Sequence, residues 1–286
     1  MTTRAAPPPA TPIWPARLHH LRRDSAEPEG LARWYGELLG DRVEALPGGQ
    51  WLVEGHARRL VIGKGGKGAV PWFALALASA EQLAACAAAL DARGVARTPS
   101  PSPLFAEGAF SVADPDGRGV VLGLPKRAAG PAAEGLPGRL QHFVCASTRV
   151  PEMLAFYRDT LGLRESDRVL EGGDIAAVFL RSDPEHHTFA TFRAPESRAD
   201  HHAYETPGWM AIRDWGDRMA AQRVPLWWGP GRHGPGNNLF FMVEDPDGYK
   251  VELSAELELM APETAFRTWP HEERTLNLWG SAWMRS

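Results

Sequence analysis

The sequence predicts an α+β protein made of two tandem copies of one module, each a pair of β-α-β-β-β units whose curved mixed sheet encloses a pocket. Two observations predict it. The stretch VADPDGRGVVL at 112–122 returns as VEDPDGYKVEL at 243–253, each reading as strand, tight turn, strand. Upstream, LHHL (18–21) returns as LQHF (140–143) and ARWYGELLG (32–40) as LAFYRDTLG (154–162). His20, Tyr35 and Gly40 all recur 122 residues later, as His142, Tyr157 and Gly162, while the two DPDG turns stand 131 apart. Landmarks repeating at a nearly fixed offset are the signature of a duplicated structural unit.

The elements of the second copy follow in order. LQHFVCA (140–146) is a strand. A helix begins near Pro151, since proline suits a first helical turn, and stops at Gly162. IAAVFLRS (175–182), HTFATFR (187–193) and HHAYE (201–205) read as further strands, and 209–224 is helical by the spacing of its apolar residues. LFFMVEDPDGYKVEL closes the module as a hairpin. These boundaries predict a flexible tail at 1–14, a first module at 15–125, a linker of Gly, Pro and Ala at 126–137, a second module at 138–258 and a C-terminal tail at 259–286.

Composition excludes several classes of function. The 286 residues are 44% hydrophobic and 23% charged, as in ordinary globular proteins, with a net charge of −4. There is no basic excess to bind nucleic acid or an anionic membrane. No apolar run approaches the roughly 20 residues of a membrane span. Two cysteines allow neither a disulfide framework nor a Cys-rich zinc site. A soluble, cytoplasmic protein is expected.

Chemistry concentrates in the second copy. Side chains alternate faces along a strand, so His142 shares a face with Val144, His202 with Tyr204, and Glu252 with Lys250. Were His142, His202 and Glu252 all on the concave side, two imidazoles and one carboxylate would converge, the set that holds a non-heme Fe(II) with three positions open. Any one of these residues taken alone is more often a packed or surface group. Their placement on three strands of one repeat is what raises the set above chance. In the first copy His20 keeps the first position, but the second falls at about Trp72 and the third is Val121, so that module is expected to be scaffold without a metal site.

The arrangement resembles the vicinal oxygen chelate superfamily, and within it the type I extradiol ring-cleaving (catechol 2,3-dioxygenase-like) dioxygenases. The residues carrying the resemblance are His142, His202 and Glu252, in the contexts LQHFV, DHHAYE and DPDGYKVEL. His187, in PEHHTFATF, stands where this family has an acid–base histidine near O2, and His233, in GPGRHGPGNNLFF, where it has a histidine beside the substrate. The resemblance covers about 15–258. One position departs: relatives usually have a tyrosine at Met242, and a thioether cannot donate that hydrogen bond. Tyr204 is a candidate source of the missing phenol, and Val144, Phe179 and Met242 are candidate substrate contacts.

The resemblance implies two vicinal-oxygen-chelate modules and Fe(II), with Mn(II) as the other metal that suits the ligand set. It implies a catechol and O2 as partners, ring cleavage in the catabolism of aromatic compounds, and a homo-oligomer. Two alternatives stand beside it: a metal-dependent isomerase or lyase of the same superfamily, which needs a fourth ligand and consumes no O2, and a non-enzymatic small-molecule-binding protein with a vestigial site.

Overall fold

The computed structural model describes residues 11–127 and 135–282. Most of the expected N-terminal tail and of the linker therefore lies outside the described residues. The first module contains β1 (Ala16–Ser25), α1 (Pro28–Leu39), β2 (Arg42–Leu46), β3 (Gln50–Gly55), β4 (Arg58–Lys64), β5 (Trp72–Leu77), α2 (Ala80–Ala92), β6 (Thr98–Pro99), β7 (Phe110–Ala113) and β8 (Gly119–Gly123). The second contains β9 (Arg139–Ser147), α3 (Val150–Leu154), β10 (Arg164–Glu171), β11 (Asp174–Arg181), β12 (Phe189–Arg193), β13 (Arg198–Thr206), α4 (Trp209–Ala221), β14 (Leu226–Arg232), β15 (Leu239–Glu244) and β16 (Lys250–Ala255). Helix α3 widens into π-type hydrogen bonding over Ala155–Thr160. Each module is thus β-α-β-β-β twice over.

The two sheets have one topology. Their orders are β2-β3-β4-β1-β5-β8-β7-β6 and β14-β15-β16-β13-β9-β12-β11-β10, the second gaining an edge strand, β17 (Arg267–Pro270), beside β10. Within each unit the first strand runs parallel to the last, as β9 does to β12 and β13 to β16. The two units of a module join through one antiparallel pair, β1 with β5 and β9 with β13. The four-strand chain β12-β9-β13-β16 therefore brings strands from the start, middle and end of the sequence segment side by side.

The repeated DPDG turns have a structural role beyond turning. In each, the first aspartate accepts backbone N–H bonds through one oxygen: Asp114 from Asp116 and Arg118, Asp245 from Asp247 and Tyr249. The last residue of each turn, Gly117 (φ 83°) or Gly248 (φ 77°), is left-handed, where a side chain is strained. The other aspartate oxygen reaches into the opposite module. Tyr157 of module two donates to Asp114 at 3.0 Å, and Tyr35 of module one donates to Asp245 at 2.9 Å. Arg23 adds a fully buried ion pair to Asp245 at 2.7 Å. The repeated tyrosine and the repeated aspartate thus form two reciprocal cross-module locks. Breaking such a buried pair by removing one partner costs about 3–5 kcal/mol. Between the locks, Phe73, Phe143, Tyr157 and Phe189 stack into one apolar core shared by both modules.

Both termini depart from the expected tails. Thr11 donates through its N–H and hydroxyl to the Thr160 carbonyl, and Ile13 is fully buried, so residues 11–14 dock onto module two. At the other end β17 pairs in parallel with β10 and is followed by α5 (Glu273–Leu276), which covers the concave face. Among the described residues no helix is long and apolar enough to cross a membrane.

Candidate metal centre

Register decides which side chains meet on the concave face of module two. Ala203 is the cross-strand partner of His142 on β9 and of Glu252 on β16. Partners in register point to the same side of a sheet, so Ala203 marks the face shared by His142 and Glu252. Two residues back along β13 on that face stands His201. His201 Nε2 lies 3.5 Å from Glu252 Oε2, and His142 Nε2 lies 3.8 Å from Glu252 Oε1. One potential ligand atom from each of His142, His201 and Glu252 falls within 4.8 Å of the others, and all three residues are buried.

This corrects the sequence expectation at one residue. His202 pairs with Phe143 and points away from the cavity into the interface between modules. There its ring stacks on Tyr249 at 5.5 Å and its Nδ1 is 3.4 Å from the Tyr249 hydroxyl. Tyr204 goes with it: buried to 1% exposure on the same convex side, it supplies no phenol to the cavity. The cause is a one-residue slip, which exchanges the faces of every side chain on a strand. A bulge between Ala199 and His201 in the pairing of β13 with β9 sets that register.

The three groups meet lone pair first. His142 Nδ1 is 2.5 Å from Gln141 Oε1, and the Gln141 amide nitrogen donates to the His187 carbonyl at 2.7 Å, so the glutamine oxygen is the one facing the imidazole. His201 Nδ1 is 2.7 Å from the Asp200 carboxylate. Both acceptors require a proton on Nδ1, so in the neutral form of each imidazole the free nitrogen is Nε2, aimed at the other donors. Burial, then the neighbouring His187 and His201, hold the His142 pKa well below the usual imidazole value, so that ring is neutral. Asn238 Nδ2 steadies Glu252 Oε1 at 3.3 Å and the Ser254 hydroxyl at 2.9 Å. Two bare imidazole nitrogens and a carboxylate, each held from behind by an acceptor or donor, form the donor set of a divalent transition metal.

The centre opens into a cavity of about 100 Å³. Val144, Phe179, His187, His233 and Met242, all expected from the sequence, line it together with His142 and Glu252. His187 packs beside His142 with ring centroids 4.3 Å apart, and Phe179 meets His187 edge-on at 5.2 Å. His233 stacks flat on Phe240, 3.7 Å between centroids, with its Nε2 3.8 Å from Glu252 Oε2. Burial lowers the His187 pKa well below the usual value, with His186 adding to the effect. Sequence reasoning missed His201 as a ligand and its partner Asp200, for which the acidic residue immediately before His201 was the available signal. It assigns no chemistry to Trp228 or to the tryptophan-rich tail, which brings His271, Thr275 and Leu276 to the cavity wall.

Fold and centre together define a two-module protein with one buried His, His, Glu group. The model of the Glyoxalase/Bleomycin resistance protein/Dioxygenase superfamily matches residues 139–253. Metapyrocatechase 2 of Cupriavidus necator is 34% identical over 149 residues, which are 51% of this chain and 45% of that protein. Biphenyl-2,3-diol 1,2-dioxygenase 3 of Rhodococcus globerulus is 30% identical over 159 residues, covering 50% of this chain and 75% of the relative. Homoprotocatechuate 2,3-dioxygenase of Brevibacterium fuscum, solved with 3,4-dihydroxyphenylacetate, shares the fold at a TM-score of 0.80 and 22% identity, over 98% of this chain and 92% of that one. The chain belongs to this superfamily. It spans less than half the length of the Cupriavidus relative.

Proposed function

We propose that the protein is a non-heme extradiol dioxygenase that uses Fe(II), with Mn(II) as the alternative metal, to open the ring of a catechol bearing a small neutral substituent. The observation that carries this reading is the convergence of three donor groups, from His142, His201 and Glu252, at the base of a mostly apolar cavity. His142, His201 and Glu252 would hold the metal, which when bound would supply Lewis acidity that lowers the pKa of a substrate hydroxyl. An isomerase or lyase would need a fourth ligand, and the group found among the described residues has three.

The chain's own residues do the remaining work. Val144, Phe179, Trp228 and Leu276 confine the ring and exclude water. At about 100 Å³ the cavity is smaller than the roughly 150 Å³ that accepts benzene, which favours a single-ring substrate over a larger one. His187 and His233 stand on either side as proton acceptors and donors, a contribution of about 10²–10⁴-fold in such reactions. Among the described lining residues there is no Arg or Lys, and Glu171 accepts from His271 at the rim. A carboxylate on the substrate would therefore be buried unpaired, at a cost of several kcal/mol.

O2 uptake by the anaerobically Fe(II)-loaded protein tests the reading. Consumption of 4-methylcatechol is expected, matched one-to-one by a yellow ring-opened product and absent in His201→Ala. With 3,4-dihydroxyphenylacetate, kcat/KM is expected to be lower by on the order of 100-fold or more. Silence toward every neutral catechol despite stoichiometric iron would overturn it.

A further inference from the structure

Two cavity histidines outside the ligand group, His187 and His233, are held from behind, and both holds lead into the C-terminal segment. His233 Nδ1 lies 2.5 Å from the Leu276 carbonyl oxygen in α5. A carbonyl only accepts, so Nδ1 carries a proton, and in the neutral ring Nε2 is the free nitrogen on the cavity side. The flat stack on Phe240, with 4° between the planes, keeps the ring in that orientation.

Across the cavity, His187 Nδ1 is 2.9 Å from His186 Nδ1, and His186 Nε2 is 2.9 Å from Asp167 Oδ2. Asp167 is fully buried and also accepts from Arg267 at 2.8 Å and from the Trp269 indole N–H at 2.9 Å, both on β17. Although burial pushes its pKa up, the bonds from His186 and Arg267 bring it below the usual carboxylate value. An ionised Asp167 only accepts, so Nε2 of His186 carries a proton, and in the neutral ring Nδ1 is the acceptor. His187 must then donate from Nδ1, and it too presents a bare Nε2.

We propose that the segment Arg267–Leu276 is a positioning element of the active site, which sets both His187 and His233 as Nδ1–H tautomers so that two acceptors face the substrate. Leu276 does this through its carbonyl, and Arg267 and Trp269 through Asp167 and His186. The consequence for chemistry, that each catechol hydroxyl meets a bare nitrogen where Met242 offers no phenol, rests on the dioxygenase reading. The tautomers themselves do not.

Two-bond ¹⁵N–¹H correlation spectra of the full-length, metal-free, histidine-labelled protein distinguish the tautomers. His187→Gln and His233→Gln assign the two signals. Both rings are expected as Nδ1–H. In His186→Leu, His187 is expected to shift toward Nε2–H while His233 stays, and His186→Asn, whose amide oxygen replaces the acceptor, is expected to restore it. An Nε2–H signal from either ring in the unaltered protein would overturn the proposal, as would a His187 tautomer indifferent to His186→Leu. In the Fe(II)-loaded enzyme His186→Leu is expected to lower kcat about 100-fold with little change in KM. The expected tautomers without O2 uptake would sink the dioxygenase reading and leave the positioning element. O2 uptake with the opposite tautomers would do the reverse.

Discussion

Modules one and two carry the same register and opposite contents. In module one, His20 pairs with Ala74, which pairs with Val121; in module two, His142 pairs with Ala203, which pairs with Glu252. Trp72 takes the place of His201, two residues before the shared alanine. Where the second module has a cavity, the first has a solid cluster of Val61, Trp72, Ala74, Phe105 and Val121. The surviving His20 is absorbed into it: its ring packs edge-on against Trp72 and Phe105, and its two nitrogens meet His19 and the Ser102 hydroxyl. A three-point site is lost as a unit. Once two donors go, the third is worth more as a packed and hydrogen-bonded core group than as a ligand, and aromatic side chains fill the space.

The largest effect that sharpens this contrast separates two adjacent residues. His201→Ala is expected to abolish stoichiometric metal uptake and activity together, while His202→Ala keeps the metal and weakens only the packing between modules. Metal analysis after dialysis reads both. Asp200→Asn should fall between them, since outer partners of ligand histidines are worth roughly 10–100-fold in affinity. A His202→Ala protein that loses its metal would break the register argument.

Much of this was legible in the sequence, and the limits have physical causes. The duplication and the β-α-β-β-β order followed from offsets and alternation, which are local properties. His142 and Glu252 could be placed because each is the only candidate on its strand. His201 and His202 are adjacent on one strand, and which faces inward depends on a bulge and on pairing with β9, some 60 residues away in the chain. Even the repeat was ambiguous there, because its offset changes from 122 to 131 around that point. The tryptophans of the tail suggest that it docks, but its part in the site was hidden for another reason. It acts through a backbone carbonyl and an edge strand, neither of which leaves a side-chain pattern.

A second way to break the comparison is to return a ligand to module one. Val121→Glu would bury a carboxylate among Trp72, Ala74 and Phe105 with His20, already bonded to His19 and Ser102, as its one nearby polar group in the matched register, at about 3–5 kcal/mol. Denaturant titration is expected to show that loss, and Trp72→His combined with it should recover part of it only when a divalent metal is present. Recovery without metal would mean that module one's cluster is softer than its packing implies.

The smallest expected effect concerns a third matched position. Glu205 stands opposite Ser254 in module two, where module one has Ala76 opposite Gly123. Burial pushes the Glu205 pKa up from 4.5 to about 7, against the pull of the Leu257 N–H bond. The native state therefore binds this proton more tightly than the unfolded chain. Between pH 4.5 and 7 the unfolded glutamate has ionised and the folded one has not, so unfolding releases a proton and stability falls as pH rises through the window. The fall levels off above pH 7 and amounts to at most about 3 kcal/mol. Glu205→Gln, which carries no proton to lose, is expected to be the more stable protein at pH 8 and to match the parent at pH 4.5. Chemical unfolding of both proteins across that range reads the difference directly. Parallel curves would show that Glu205 ionises freely in the fold, and that the carboxyl and the methyl at this matched position are interchangeable.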